Sequence, residues 1–99
     1  MVTQEDCKLG VSLVQYDIAW EDKAKNLDYI YSVMSSLTGK TDLVVLPEMC
    51  TTGFSMNSHL LAEPVNGNTI SCLKTWTQEF GLAVCGSYIA EDKDEYFNR

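Results

Sequence analysis

Four apolar residues, Leu43-Val44-Val45-Leu46, run without interruption into Pro47 and Glu48. A short continuous apolar run of this kind suits a strand covered on both faces, and such strands belong to parallel sheets. Proline has no amide hydrogen to give to a ladder, so the strand ends near Pro47. Glu48 then stands at the carboxyl end of a central strand, where open sheets collect their chemistry.

Upstream, Leu9 to Gln15 alternates apolar with small or polar residues and reads as a first strand. Between Asp17 and Leu37 the spacing becomes helical. Trp20, Ala24, Leu27, Tyr31 and Met34 recur every three or four residues, and Ile30 and Leu37 widen the stripe. Glu21 and Asp22 fall in the first turn, where acids suit the helix dipole. Gly39 and Lys40 stop the helix.

Downstream, residues 48–67 read as an irregular loop with one helical turn near Ser58 to Ala62. Asn68 suits the cap of a second helix, with Ile70, Leu73, Trp76 and Phe80 as its buried stripe and Gly81 as its end. Trp20 and Trp76 both fall on such stripes and are expected in the core. Leu82 to Ile89 is a third strand, Glu91 to Glu95 an acidic turn, and Tyr96-Phe97 opens a fourth strand. Strands alternating with helices predict an α/β fold with a largely parallel sheet. A phosphate-cradling βαβ unit would need glycines after the first strand, and Tyr16-Asp17-Ile18-Ala19-Trp20 has none.

The chain has 99 residues, enough for one small domain, and its 45% apolar and 21% charged residues are ordinary globular values. A net charge of −7 repels phosphate backbones and anionic lipid, so neither nucleic acid nor a membrane surface is an expected partner. Cys7, Cys50, Cys72 and Cys85 include no C-x-x-C pair, which argues against a zinc knuckle or a dithiol redox motif. Met1 to Lys8 is polar and acidic, with no apolar core of a signal peptide, so a cytoplasmic protein with reduced thiols is expected. Cys7, Cys72 and Cys85 fit ordinary small apolar positions. Asp92, Asp94 and Glu95 lack the spacing and glycine of a calcium loop, and no metal site is expected. His59, alone in a polar loop, reads as a surface residue.

By position, Glu48 fits two roles. Partial desolvation at a strand end raises a carboxyl pKa and a nearby cation lowers it, and a glutamate balanced between the two can act as a general base. The same position also suits an acid that caps a turn or pairs with a surface lysine. Cys50 lies two residues away, but a reactive thiol needs an electropositive setting, and this segment supplies no base.

The longer stretch, Leu43 through Pro47-Glu48-Met49-Cys50-Thr51-Thr52-Gly53-Phe54-Ser55-Met56, resembles the first catalytic motif of the nitrilase superfamily of carbon–nitrogen hydrolases. Its Thr-Thr-Gly-Phe-Ser-Met continuation is similar to the ω-amidase branch, which acts on 2-oxo acid amides. Val14-Gln15, Trp20-Glu21, Asn26-Leu27, Cys85-Gly86-Ser87 and Tyr96-Phe97-Asn98-Arg99 are similar to family positions in the same register, so the resemblance covers nearly the whole chain.

The resemblance implies the N-terminal portion of a four-layer α-β-β-α sandwich, with residues 1–99 as part of one hydrolase domain and no second domain. It implies hydrolysis of a small acid amide, such as 2-oxoglutaramate or 2-oxosuccinamate, without cofactor. In the family a cysteine forms an acyl-enzyme, a glutamate is the general base and a lysine stabilises the oxyanion. Only the glutamate carries over, to Glu48, and the family's lysine and cysteine positions fall beyond Arg99. Lys93 precedes the wrong motif, and none of the four cysteines matches the nucleophile. Phe54 and Met56 resemble residues of the substrate-pocket wall, although each also fits core packing. The isolated chain is then expected to be inactive, and the full-length protein to be a homodimer or higher homo-oligomer. A piece of this length would leave strand edges and one sheet face uncovered. The competing reading is a non-catalytic truncated α/β module for binding or assembly.

Overall fold

A computed structural model describes residues 8–99. Cys7 lies outside them, as does nearly all of the polar amino-terminal segment. The elements are β1 (Val11–Leu13), α1 (Lys23–Leu37), β2 (Leu43–Val45), α2 (Ser58–Leu61), α3 (Asn68–Phe80), β3 (Ala83–Cys85), β4 (Ile89–Asp92) and β5 (Glu95–Asn98). Strands β1, β2 and β3 form a parallel sheet in that order, and β4 and β5 form a separate antiparallel hairpin. The register aligns Ser12 with Val44 and Val44 with Val84.

A chain that advances across a parallel sheet through crossovers of one hand sets its helices on one face. Helices α1 and α3 meet there, with Tyr31 edge-on to Trp76 at 5.3 Å between ring centroids. Ile30, Met34 and Val44 have no exposed surface and form the core with Leu46, Cys50 and Leu82. Each such burial contributes about 1.5–3 kcal/mol. The opposite sheet face leaves Val11, Leu13, Ala83 and Cys85 exposed, so an uncovered apolar face is present.

Helix α1 starts later than its periodicity suggests. Glu21 has a left-handed φ of 54°, and Asp22 caps the helix by accepting a hydrogen bond from the Lys25 amide at 3.1 Å. Trp20 therefore precedes the helix and is 63% exposed rather than in the core. Of the expected stripe, Leu27, Ile30 and Met34 are buried, while Ala24 and Tyr31 are exposed.

Leu82 to Ile89 is not one strand. The chain leaves the sheet after Cys85 and re-enters pairing at Ile89, in the hairpin. The turn of that hairpin is narrower than the acidic run: Lys93 and Asp94 both have left-handed φ, the pattern of a two-residue type I′ turn.

Helix α3 is not capped by Asn68, which is its first helical residue. Glu63 supplies the cap from six residues upstream. The Thr69 amide donates to Oε1 at 2.8 Å and the Thr69 hydroxyl to Oε2 at 2.6 Å, and Lys23 Nζ lies 3.2 Å from Oε2. The Glu63 backbone also bridges to β4, donating to the Ile89 carbonyl and accepting from the Glu91 amide, both at 2.9 Å. One buried residue thus ties α1, α3 and the hairpin together. A methyl at Gly67 would fall 2.9 Å from Glu63 Cβ and 3.0 Å from both Glu63 Oε1 and the Pro64 carbonyl oxygen, so a larger residue there must shift the backbone at Glu63 and Pro64 and with it the cap.

Burial pushes the Glu63 carboxyl up, but the Thr69 hydrogen bonds and Lys23 outweigh it and hold the group below the usual carboxylate range. A depressed folded-state pKa means that the cap is fully stabilising above the unfolded-state value and is lost as pH falls through the folded one. Urea unfolding is expected to show Glu63→Ala about 1–2 kcal/mol less stable at neutral pH. Its stability loss between about pH 5 and 3 should be shallower than that of the parent. Gly67→Ala should reproduce both effects.

Candidate active site

Strand β2 is paired on both edges. Its last rungs run from the Val14 amide to the Val45 carbonyl (2.9 Å) and from the Leu46 amide to the Cys85 carbonyl (2.8 Å). Pairing stops at Pro47, as its missing amide hydrogen requires. Glu48 follows at the carboxyl edge of the sheet, and Met49 turns the chain with a left-handed φ of 50°. Ser87, from the segment after β3, fixes that turn. Its hydroxyl accepts from the Met49 amide and its carbonyl from the Cys50 amide, both at 3.0 Å.

The Glu48 side chain is exposed, so the partial desolvation expected for it is absent among the described residues. The reason is geometric: the helices cover the sheet face, while Glu48 projects from the sheet edge. Its Oε2 accepts a hydrogen bond from Asn98 Nδ2, on β5, at 3.0 Å.

Phe54 and Met56 lie on the loop that leaves this turn, and at 67% and 94% exposure neither packs in the core. The loop is fastened from below. Gly53 has a φ of 78°, and a methyl there would stand 3.1 Å from the Trp20 ring, so the backbone presses directly on that indole. Beside Gly53, the Glu21 amide donates to the Thr52 carbonyl at 2.9 Å. Glu21 Oε2 accepts from the Ser55 hydroxyl and from Asn57 Nδ2, and these two bonds, Ser55's first, hold its carboxyl below the ordinary value. Asn26 is buried and joins the β1–α1 loop to this one. It donates to the Ala19 and Thr51 carbonyls (2.8 and 2.7 Å) and accepts from the Ala19 amide (2.8 Å).

Sequence reasoning did not find the roles of Asn26, Glu63, Ser87 and Asn98. Asn26, Ser87 and Asn98 belong to stretches already marked by resemblance, which is the available signal. Glu63 gave none, because its partners come from three separate elements. A groove of about 420 Å³ lies between α3 and β3, lined by Leu73, Thr77 and Val84 among others, and neither Glu48, Phe54 nor Met56 lines it. It is a mostly apolar seam beside the core that reaches Cys85 and Gly86, just before Ser87. Among the described residues no three His, Cys, Asp or Glu side chains converge as a metal site, and no helix is long and apolar enough to cross a membrane.

Cys50 is 1% exposed. Burial is the main cause that pushes its thiol up to about 11, so it stays protonated at neutral pH. The Tyr16 hydroxyl is raised above its ordinary value by burial first and donates to the Cys50 carbonyl at 2.6 Å.

The carbon–nitrogen hydrolase family model matches residues 10–99. The omega-amidase YafV of Yersinia enterocolitica is 33% identical over 91 residues, covering 92% of this chain and 35% of the relative. An (R)-stereoselective amidase of a Pseudomonas species is 29% identical over 92 residues, covering 91% of this chain and 34% of the relative. A CN-hydrolase superfamily protein of Xanthomonas campestris, solved with an arsenic adduct in its active site, is 38% identical with a TM-score of 0.85. That match covers 91% of this chain and 34% of the other. The chain thus spans about a third of the length of the curated relatives it matches.

Thiol reactivity checks the burial of Cys50. Brief alkylation at pH 7.5, mapped by mass spectrometry, should modify the exposed Cys85 and spare Cys50 until denaturant is added.

Proposed function

The chain belongs to the carbon–nitrogen hydrolase family, and from that premise we propose that Glu48 is the general base of an amidase acting on small acid amides. The observation that carries the reading is that Pro47 ends a central parallel strand and leaves a carboxylate at the sheet's carboxyl edge. The likeness to an omega-amidase supports small ω-amides as the substrate class, with 2-oxoglutaramate or 2-oxosuccinamate as examples. Phe54 and Met56, held outward by the anchored loop, suit the wall of an acid-amide pocket.

In this reading the base takes the proton of a cysteine thiol as the sulfur attacks the amide carbon. It gives that proton to the nitrogen as the C–N bond breaks and ammonia leaves. Water then attacks the thioester; the carboxylate takes its proton and returns it to the departing thiolate. A lysine stabilises the oxyanion in both steps. By resemblance, that lysine and cysteine lie outside these 99 residues, which form the N-terminal part of one domain. No cofactor takes part. A cytoplasmic, homo-oligomeric full-length protein completes the proposal.

Purified as 99 residues, the chain should release no ammonia from 2-oxoglutaramate, and turnover by it would refute the division of labour. In a protein carrying this segment at the family's full length, Glu48→Gln should lower kcat by at least about 100-fold, the lower range for general acid–base catalysis, without changing the circular dichroism melt. Normal activity in that variant would remove Glu48 from the mechanism.

The exposed apolar residues Leu9, Val11 and Leu13 favour a second reading, an assembly module without catalysis. Light scattering with circular dichroism separates the two. A monodisperse, cooperatively melting 99-residue species supports the module, and aggregation or a molten signal supports a part of the larger enzyme.

A further inference from the structure

We infer that Asn98 is a positioning residue for Glu48, holding one carboxylate oxygen so that the other faces the proton to be moved. The inference rests on the reading of Glu48 as the base.

The contact is between Asn98 Nδ2 and Glu48 Oε2, at 3.0 Å. A carboxylate only accepts, so the amide must turn its NH2 toward it, and the orientation of Asn98 is fixed by chemistry. With Oε2 engaged, Oε1 is left to receive the thiol proton. An amide does not titrate and carries no charge. It can therefore orient the base without competing for its proton, as a lysine or histidine in its place would.

The fold gives Asn98 a rigid seat. It pairs with Ile89 across the hairpin, and beyond it the Arg99 amide donates to the Tyr88 carbonyl at 3.1 Å while the Tyr88 amide donates to the Arg99 carbonyl at 3.2 Å. Opposite it, Tyr88, Ile89 and Ala90 are buried, and the Glu63 bridge holds the other edge of β4. Ser87, one residue before Tyr88, holds the Met49 and Cys50 amides. The anchor of the backbone after Glu48 and the strand opposite Asn98 are thus parts of one short segment, Ser87 to Ala90. The turn that carries Glu48 and the strand that carries Asn98 are both fastened to this piece of chain.

The test uses the protein that carries this chain at the family's full length, with 2-oxoglutaramate as probe. Asn98→Ala should lower kcat about 10-fold, with KM within about twofold, because only the chemical step needs the oriented base. Asn98→Asp sets a second carboxylate beside Glu48, which should move the acid limb of the kcat/KM profile up by about one pH unit. A role confined to hairpin stability would leave kcat unchanged in Asn98→Ala once folding is matched by melting temperature. If Asn98→Ala does not melt cooperatively, kcat of the near-isosteric Asn98→Leu, which removes the donor and keeps the volume, decides, and a wild-type value there overturns the inference. Wild-type kcat in a folded Asn98→Ala, or an unmoved limb in Asn98→Asp, overturns the inference while an inactive Glu48→Gln leaves the base in place. Full activity in Glu48→Gln overturns the underlying reading instead.

Discussion

Strand β2 has partners on both edges until Leu46, and the rest of the site depends on the abrupt end of that pairing. A backbone amide that cannot donate at Pro47 closes the ladder, and the left-handed Met49 turns the chain at once. The carboxylate between them is therefore fixed relative to three strands rather than left on a wandering loop. Buried Val44 anchors the strand in the core below, and Ser87 fastens the turn from the neighbouring segment. The neutral donor Asn98 reaches the carboxylate from a hairpin seated on that same segment.

A second layer of polar contacts keeps the surrounding loops in register. Asn26 satisfies three backbone groups of two loops from a buried position, where an unpaired group would cost about 1–3 kcal/mol. Glu63 works similarly at longer range, joining a helix terminus, a lysine of α1 and the edge of β4. These residues bear no chemistry themselves. Asn26 ties the loop before α1 to the loop after Glu48, and Glu63 seats the hairpin that carries Asn98 against α1 and α3.

Local chemistry was legible in the sequence wherever it alone decides the outcome. The apolar run before Pro47, the helical turn at Ser58 and the end of α3 at Gly81 all follow from residues in place. Reading failed where a distant partner decides. Trp20 continues the periodicity of α1, yet the positive φ of Glu21 and the Asp22 cap exclude it from the helix, and its ring instead meets Gly53. Asn68 has the right side chain for a cap, but it lies inside the helix, and Glu63, whose backbone is held by β4, bonds the Thr69 amide instead. Leu82 to Ile89 is apolar enough for one strand, but Ser87 is drawn to the turn after Glu48 and splits it. For the site, the position of Glu48 was legible and its exposure was not, since exposure depends on what lies beyond the sheet edge.

The most direct measurement is the rate of acyl-enzyme formation in a single turnover, followed by intact mass after rapid mixing with an ω-amide. The protein carrying this chain at full family length should gain the acyl mass within one turnover as ammonia is released. The same protein with glutamine at position 48 should remain unacylated over that interval. Acylation at the parent rate in that variant would contradict the assignment of proton transfer to this carboxylate.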